Sequence, residues 1–126
     1  TGAPETVVAD GATPALDEEQ LAELHMLMGE RFGGLVSVFS NDTPAYLAAL
    51  RAASANRDRR QLKHLAHLLK GSAANVSAMT LSSLCARLET LVGDGTPGQI
   101  DEQIASIEAE YQRAAAALVE AAGAPG

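Results

Sequence analysis

Three histidines and one cysteine are present in the chain, and His67 stands in the setting best suited to chemistry. On a helix advancing about 100° per residue, Leu62, Leu65, Leu69, Ala73 and Val76 fall between about 160° and 240° from it. His67 therefore points away from a complete apolar stripe. Arg60, Lys63, Lys70, Gly71 and Ala74 lie within about 60° of it, and His64 at about 60°. Five of the nine Lys and Arg residues (Arg57, Arg59, Arg60, Lys63 and Lys70) crowd into this stretch of a chain with net charge −7. An exposed imidazole flanked by cations suits an anion, either a substrate or a group that the histidine itself carries. A solvated helix face would give the same charge run, and the stripe alone leaves both readings open.

Gly71 shifts the balance. Glycine inside a helix costs about 1 kcal/mol relative to alanine, and core packing does not explain a missing side chain that faces solvent. Absent bulk beside an exposed nucleophile makes sense if another macromolecule must bring its own reactive group close. Lys70, three residues after His67, is placed to lie beside a charge on the imidazole. The other candidates are weaker. His64 and His67 at i,i+3 supply only two metal ligands, and no Glu-x-x-His motif accompanies them. Cys85 falls in an apolar stripe and reads as a small buried residue. His25 reads as an ordinary helix residue, and Met26, Met28 and Met79 as packing.

The elements that must position this face are all helices. Of 126 residues 47% are hydrophobic, yet the aromatics are only Phe32, Phe39, Tyr46 and Tyr111, so the core is built from Ala, Leu and Val in close helix packing. The length suits one domain. Residues 1–15 are rich in Gly, Ala, Thr and Pro and read as a flexible linker or tail, and 122–126 as a disordered tail. The start at Thr1 reads as a piece excised from something longer.

Between the tails, residues 16–121 hold five helical segments. The first starts at an Asp17 cap and stops near Gly29. The second covers about 34–55, one helix bent at Pro44, because the apolar phase of Leu35, Phe39, Tyr46 and Leu50 continues through the proline. The third covers about 58–76 and the fourth about 78–92. Residues 93–98 read as a loop, and a fifth helix carries Ile100, Ile104, Ile107, Tyr111 and Leu118. Short connections predict an all-α, up-and-down antiparallel four-helix bundle with an additional short N-terminal helix.

The run His67-Leu68-Leu69-Lys70-Gly71-Ser72-Ala73, with Ala66 before it and Asn75, Val76 and Ala78 after it, resembles the motif of histidine-containing phosphotransfer (HPt) domains. The likeness extends through Leu84-Cys85-Ala86-Arg87-Leu88-Glu89 and back to Phe39 and Asp42-Thr43-Pro44, covering about residues 17 to 120. It implies a helical bundle that relays phosphoryl groups between response-regulator receiver domains in two-component signalling. It makes His67 the phosphoacceptor and Lys70 its electrostatic partner. Gly71 becomes the clearance for a docking receiver, with Lys63, His64 and Ala74 around it. Ser77 stands where the family usually has glycine, so a left-handed residue there would be strained.

No nucleotide-binding glycine loop is evident, so the domain is expected to bind no ATP, to have no kinase activity of its own and to hold no cofactor or metal. Mg²⁺ would come with the receiver. The linker-like start fits the C-terminal HPt domain of a hybrid sensor histidine kinase, with that kinase in the same chain, and equally a free-standing relay. A chemotaxis-type kinase domain would use the same fold and histidine. The alternative is a non-phosphorylated bundle that only docks receivers or enzymes. Net acidity argues against nucleic acid, and no apolar run approaches the ~20 residues of a membrane span. One cysteine forms no internal disulfide, and the expected location is cytoplasmic.

Overall fold

The computed structural model describes residues 13–123. Five helices follow one another: α1 (Glu18–Met28), α2 (Phe32–Ala55), α3 (Arg59–Asn75), α4 (Met79–Asp94) and α5 (Pro97–Gly123), with a 3-10 turn at Gly29–Arg31 between the first two. In the bundle, α2 packs on α3 and α5, and α4 on α3 and α5. This is the expected four-helix bundle with α1 outside it. Leu50, Leu62, Leu69, Leu81, Leu84, Leu88, Ile104, Ile107 and Leu118 are fully buried at its centre, each contributing roughly 2 kcal/mol of apolar transfer. By contrast, α1 buries only Leu21 and leaves Met26 and Leu27 in solvent.

Local chemistry sets the helix boundaries. Asp17 and Asp58 cap α1 and α3, their Oδ1 atoms accepting from the Gln20 and Gln61 N–H groups at 3.0 Å each. Residues 93–98 are not the loop their glycines suggest, because α4 runs to Asp94 and α5 starts at Pro97. Thr96 and Gln99 form a reciprocal capping box, at 2.9 and 3.1 Å, with Pro97 at the first helical position. Gly95 is required there, since a Cβ would meet the Leu91 carbonyl oxygen at 2.6 Å. The Arg59 guanidinium donates to the Val92 and Gly95 carbonyl oxygens, so this cation closes the end of α4 rather than joining the stripe around His67.

Pro44 lies inside a continuous α2. Its missing N–H leaves the Ser40 carbonyl without the helical donor, and the Tyr111 hydroxyl on α5 donates to that oxygen at 2.9 Å. Ser77 adopts φ 62°, the left-handed conformation that serine disfavours, and it is buried. Its carbonyl accepts the Asp17 N–H at 2.8 Å.

Residues 13–15 and 122–123 are part of the packed structure rather than of the tails expected there. Ala15 and Leu16 are buried, the Thr80 hydroxyl donates to the Pro14 carbonyl, and Arg113 donates to that of Thr13. These contacts fasten residues 13–16 to the bundle, and α5 continues to Gly123. The remainder of both expected tails lies outside the described residues.

Candidate functional site

The site is set on α3, whose amphipathic pattern behaves as the helical plot requires. Leu62, Leu65, Leu69, Ala73 and Val76 are buried, together with Ala66, while Lys63, His64, His67, Gly71 and Ala74 are exposed. A Cβ added at Gly71 would meet none of the described residues within 4 Å, so among them the glycine serves no packing purpose. Ala74 lines an open groove of about 330 Å³ with Glu23, Leu24, Leu27 and Asn75. Two turns of α3 therefore separate that groove from His67.

Lys70, expected beside a charge on the imidazole, takes a carboxylate of the neighbouring helix as its direct partner. Its Nζ reaches across to α4 and pairs with Glu89 Oε1 at 2.6 Å, leaving the side chain 35% exposed. The other carboxylate oxygen, Oε2, lies 3.1 Å from His67 Nδ1. Glu89 itself is only 18% exposed, whereas the His67 side chain is 66% exposed. The Lys70 ammonium beside it, and then the His67 contact, hold the Glu89 carboxyl below the usual carboxylate range against the opposing effect of burial. Glu89 is therefore ionised near neutral pH and only accepts hydrogen bonds. It follows that Nδ1 carries the proton and donates, which leaves the lone pair of the imidazole on Nε2.

Further contacts stiffen this arrangement. The Ser82 hydroxyl of α4 donates to the Lys70 carbonyl at 3.1 Å, pinning the two helices at the level of the site. The Cys85 thiol, one turn before Glu89 on α4, is pushed up to about 12, chiefly by burial, and stays protonated. Among the described residues, no three His, Cys, Asp or Glu side chains gather in an arrangement that could hold a metal ion. No described helix is long and apolar enough to cross a membrane.

Sequence reasoning found His67, Lys70 and Gly71 together but gave Glu89 no role of its own. The available signal was its place in a row: Ser82, Cys85, Glu89 and Val92 follow one line of α4, the others buried. A lone acid interrupting a row that faces α3 calls for a cationic partner there.

Comparison with known proteins bears on the family and the fold. The family model of the Hpt domain matches residues 34–118. Among solved structures, histidine-containing phosphotransfer protein B from Pseudomonas aeruginosa PAO1 is similar, with a TM-score of 0.82 and 28% identity over 87% of this chain and 96% of that one. No curated protein matches by sequence. With a bundle of this topology and a family match spanning most of its length, the chain belongs to the Hpt domain family of phosphorelay histidine phosphotransfer proteins.

Proposed function

We propose that His67 is the residue of this domain that accepts and passes on the phosphoryl group, exchanging it with aspartates of receiver domains. The observation that carries this reading is the Nδ1 contact to Glu89, 3.1 Å long, which leaves Nε2 as the nucleophilic atom on the solvent side, beside the open space over Gly71. His64 is exposed as well, yet it lies two turns away from Gly71, and of the two histidines it is His67 that Glu89 contacts.

In acceptance, Nε2 attacks phosphorus in line as the P–O bond to the receiver's aspartate breaks, and the aspartate departs as a carboxylate. Positioning and neutralisation of the phosphoryl oxygens supply the catalysis. Lys70 is the cation this domain holds at the site through Glu89, and Mg²⁺ enters with the receiver. Lys63, His64, Gly71 and Ala74 form the surface the receiver covers. The domain does its work in the cytoplasm and uses no nucleotide of its own.

Incubation with phosphorylated receiver domains tests the reading. Aspartyl phosphate is expected to disappear as phosphohistidine appears on this chain. Binding of the receiver without any loss of aspartyl phosphate would instead make the domain a docking module.

A further inference from the structure

The contact between Glu89 and His67 bears on the return transfer as much as on the attack, provided that His67 is the phosphoacceptor, the reading on which this inference rests. When the Nε2 lone pair attacks phosphorus, the product ring carries the phosphoryl group on Nε2 and a proton on Nδ1, and is cationic. If water removed that proton, the neutral phosphoramidate could react onward only by expelling an imidazolate anion, a poor leaving group. If the proton stays, the leaving group is neutral imidazole.

We propose that Glu89 is a positioning residue that retains one proton on His67 Nδ1 through both directions of transfer, so that the imidazole attacks and departs as the same neutral tautomer. In donation, a receiver carboxylate oxygen forms the new P–O bond, the electrons of the P–N bond return to Nε2, and the Nδ1–H is untouched. No proton moves in either direction.

The geometry equips Glu89 for this task. One carboxylate oxygen is anchored by Lys70 Nζ at 2.6 Å and the other meets Nδ1 at 3.1 Å. The anchor keeps the carboxylate charged and fixes its direction, and the Ser82 bond to the Lys70 carbonyl fixes the spacing of the two helices. Among the described residues, the charged and titratable groups that α3 and α4 bring near the imidazole are Lys63, His64 and Lys70 from α3, and Glu89 and Cys85 from α4. Glu89 is the one anion among them, because the Cys85 thiol remains protonated.

The test uses the intact domain, loaded with phosphate by phosphoramidate, and compares the wild type with Glu89→Gln between about pH 6 and pH 8.5. The amide can still receive the Nδ1–H but cannot stabilise the cationic ring. The midpoint for loss of the Nδ1 proton from the phosphorylated ring is expected to fall by about one pH unit. At about pH 8 the variant's phosphohistidine should live several times longer and donate to a receiver roughly fivefold more slowly or worse, while near pH 6 the two proteins converge because solvent supplies the proton. A deficit equal at every pH would overturn the proposal in favour of a purely structural Glu89, as would identical profiles. Nitrogen NMR of the phosphorylated wild type gives a second reading that needs no variant. Nδ1 must remain protonated above pH 8, and early loss of that proton refutes the proposal. Label absent from His67 in the wild type would fell the phosphoacceptor reading and this proposal together, whereas label on His67 with an unshifted profile fells this proposal alone.

Discussion

The Tyr111 hydroxyl on α5 occupies the Ser40 carbonyl on α2, the acceptor that Pro44 deprives of its helical donor. The proline inside α2 is thus tolerated through a tertiary bond. Tyr111→Phe should destabilise the domain by about 1 kcal/mol, the cost of a half-buried acceptor left unpaired. In a Pro44→Ala background the same substitution should cost less, because an alanine at that position restores the donor. Chemical denaturation of the four proteins of this cycle measures the coupling, and simple additivity would show that Tyr111 does not compensate the proline.

Ser77 carries a conformational penalty that glycine would not. With φ 62° at a buried turn, Ser77→Gly should stabilise the domain by about 0.5–1 kcal/mol, the left-handed strain of serine less the added chain entropy of glycine. The bond from the Asp17 N–H to the residue-77 carbonyl should survive. A lower melting temperature for the glycine variant would mean that the serine side chain contributes more than its backbone costs.

Gly71 separates function from stability. Gly71→Gln fills empty space and replaces a poor helix former with a better one, worth most of a kilocalorie. The variant should melt at the same temperature or slightly higher. Exchange with a receiver should nevertheless collapse, because the new side chain projects beside His67 and holds the partner's aspartate outside in-line distance. Thermal melting and transfer rate on one preparation check both halves. A stable and fully active variant would show that no partner approaches this face.

Lys70→Ala should slow transfer roughly ten- to hundredfold if the ammonium neutralises charge developing on the phosphoryl group. The loss should exceed any change in receiver affinity, measured by titration with a non-phosphorylatable receiver. An unchanged rate would assign the neutralisation to the receiver's Mg²⁺.

The buried carboxyl of Glu110 gives the domain a stability profile of unusual sign. Burial raises its proton affinity, opposed only by Arg113. Between the ordinary carboxylate value and that raised one, the folded chain binds more protons than the unfolded chain, so stability rises as pH falls. At lower pH the trend reverses, because Glu89 and Glu108 are held below the usual range by Lys70 and Arg51 and their pairing is lost as pH drops through those lowered values. Melting curves from pH 7 downward should show a rise followed by a fall, and Glu110→Gln should abolish the rise.

The face around His67 was legible because a 3.6-residue period sorts α3 without knowledge of its neighbours. The apolar stripe, the exposed histidine and the glycine with nothing to pack against all lie within one helix. Glu89 sits 22 positions away on another helix, and its pairing with His67 depends on the register of α3 against α4, which no local pattern encodes. The same holds for Tyr111 and Ser40, 71 positions apart. At residues 93–98 the signal was present but outweighed, because three glycines masked the Thr-Pro-x-Gln capping box that starts α5.

The most direct measurement of the central claim is the site of phosphorylation itself. The intact chain should be phosphorylated by a phosphorylated receiver, and the label mapped by mass spectrometry under conditions that preserve phosphohistidine. The label should sit on His67, vanish in a folded His67→Gln variant and persist in His64→Gln. Undiminished label in His67→Gln, or its loss in His64→Gln alone, would contradict the account.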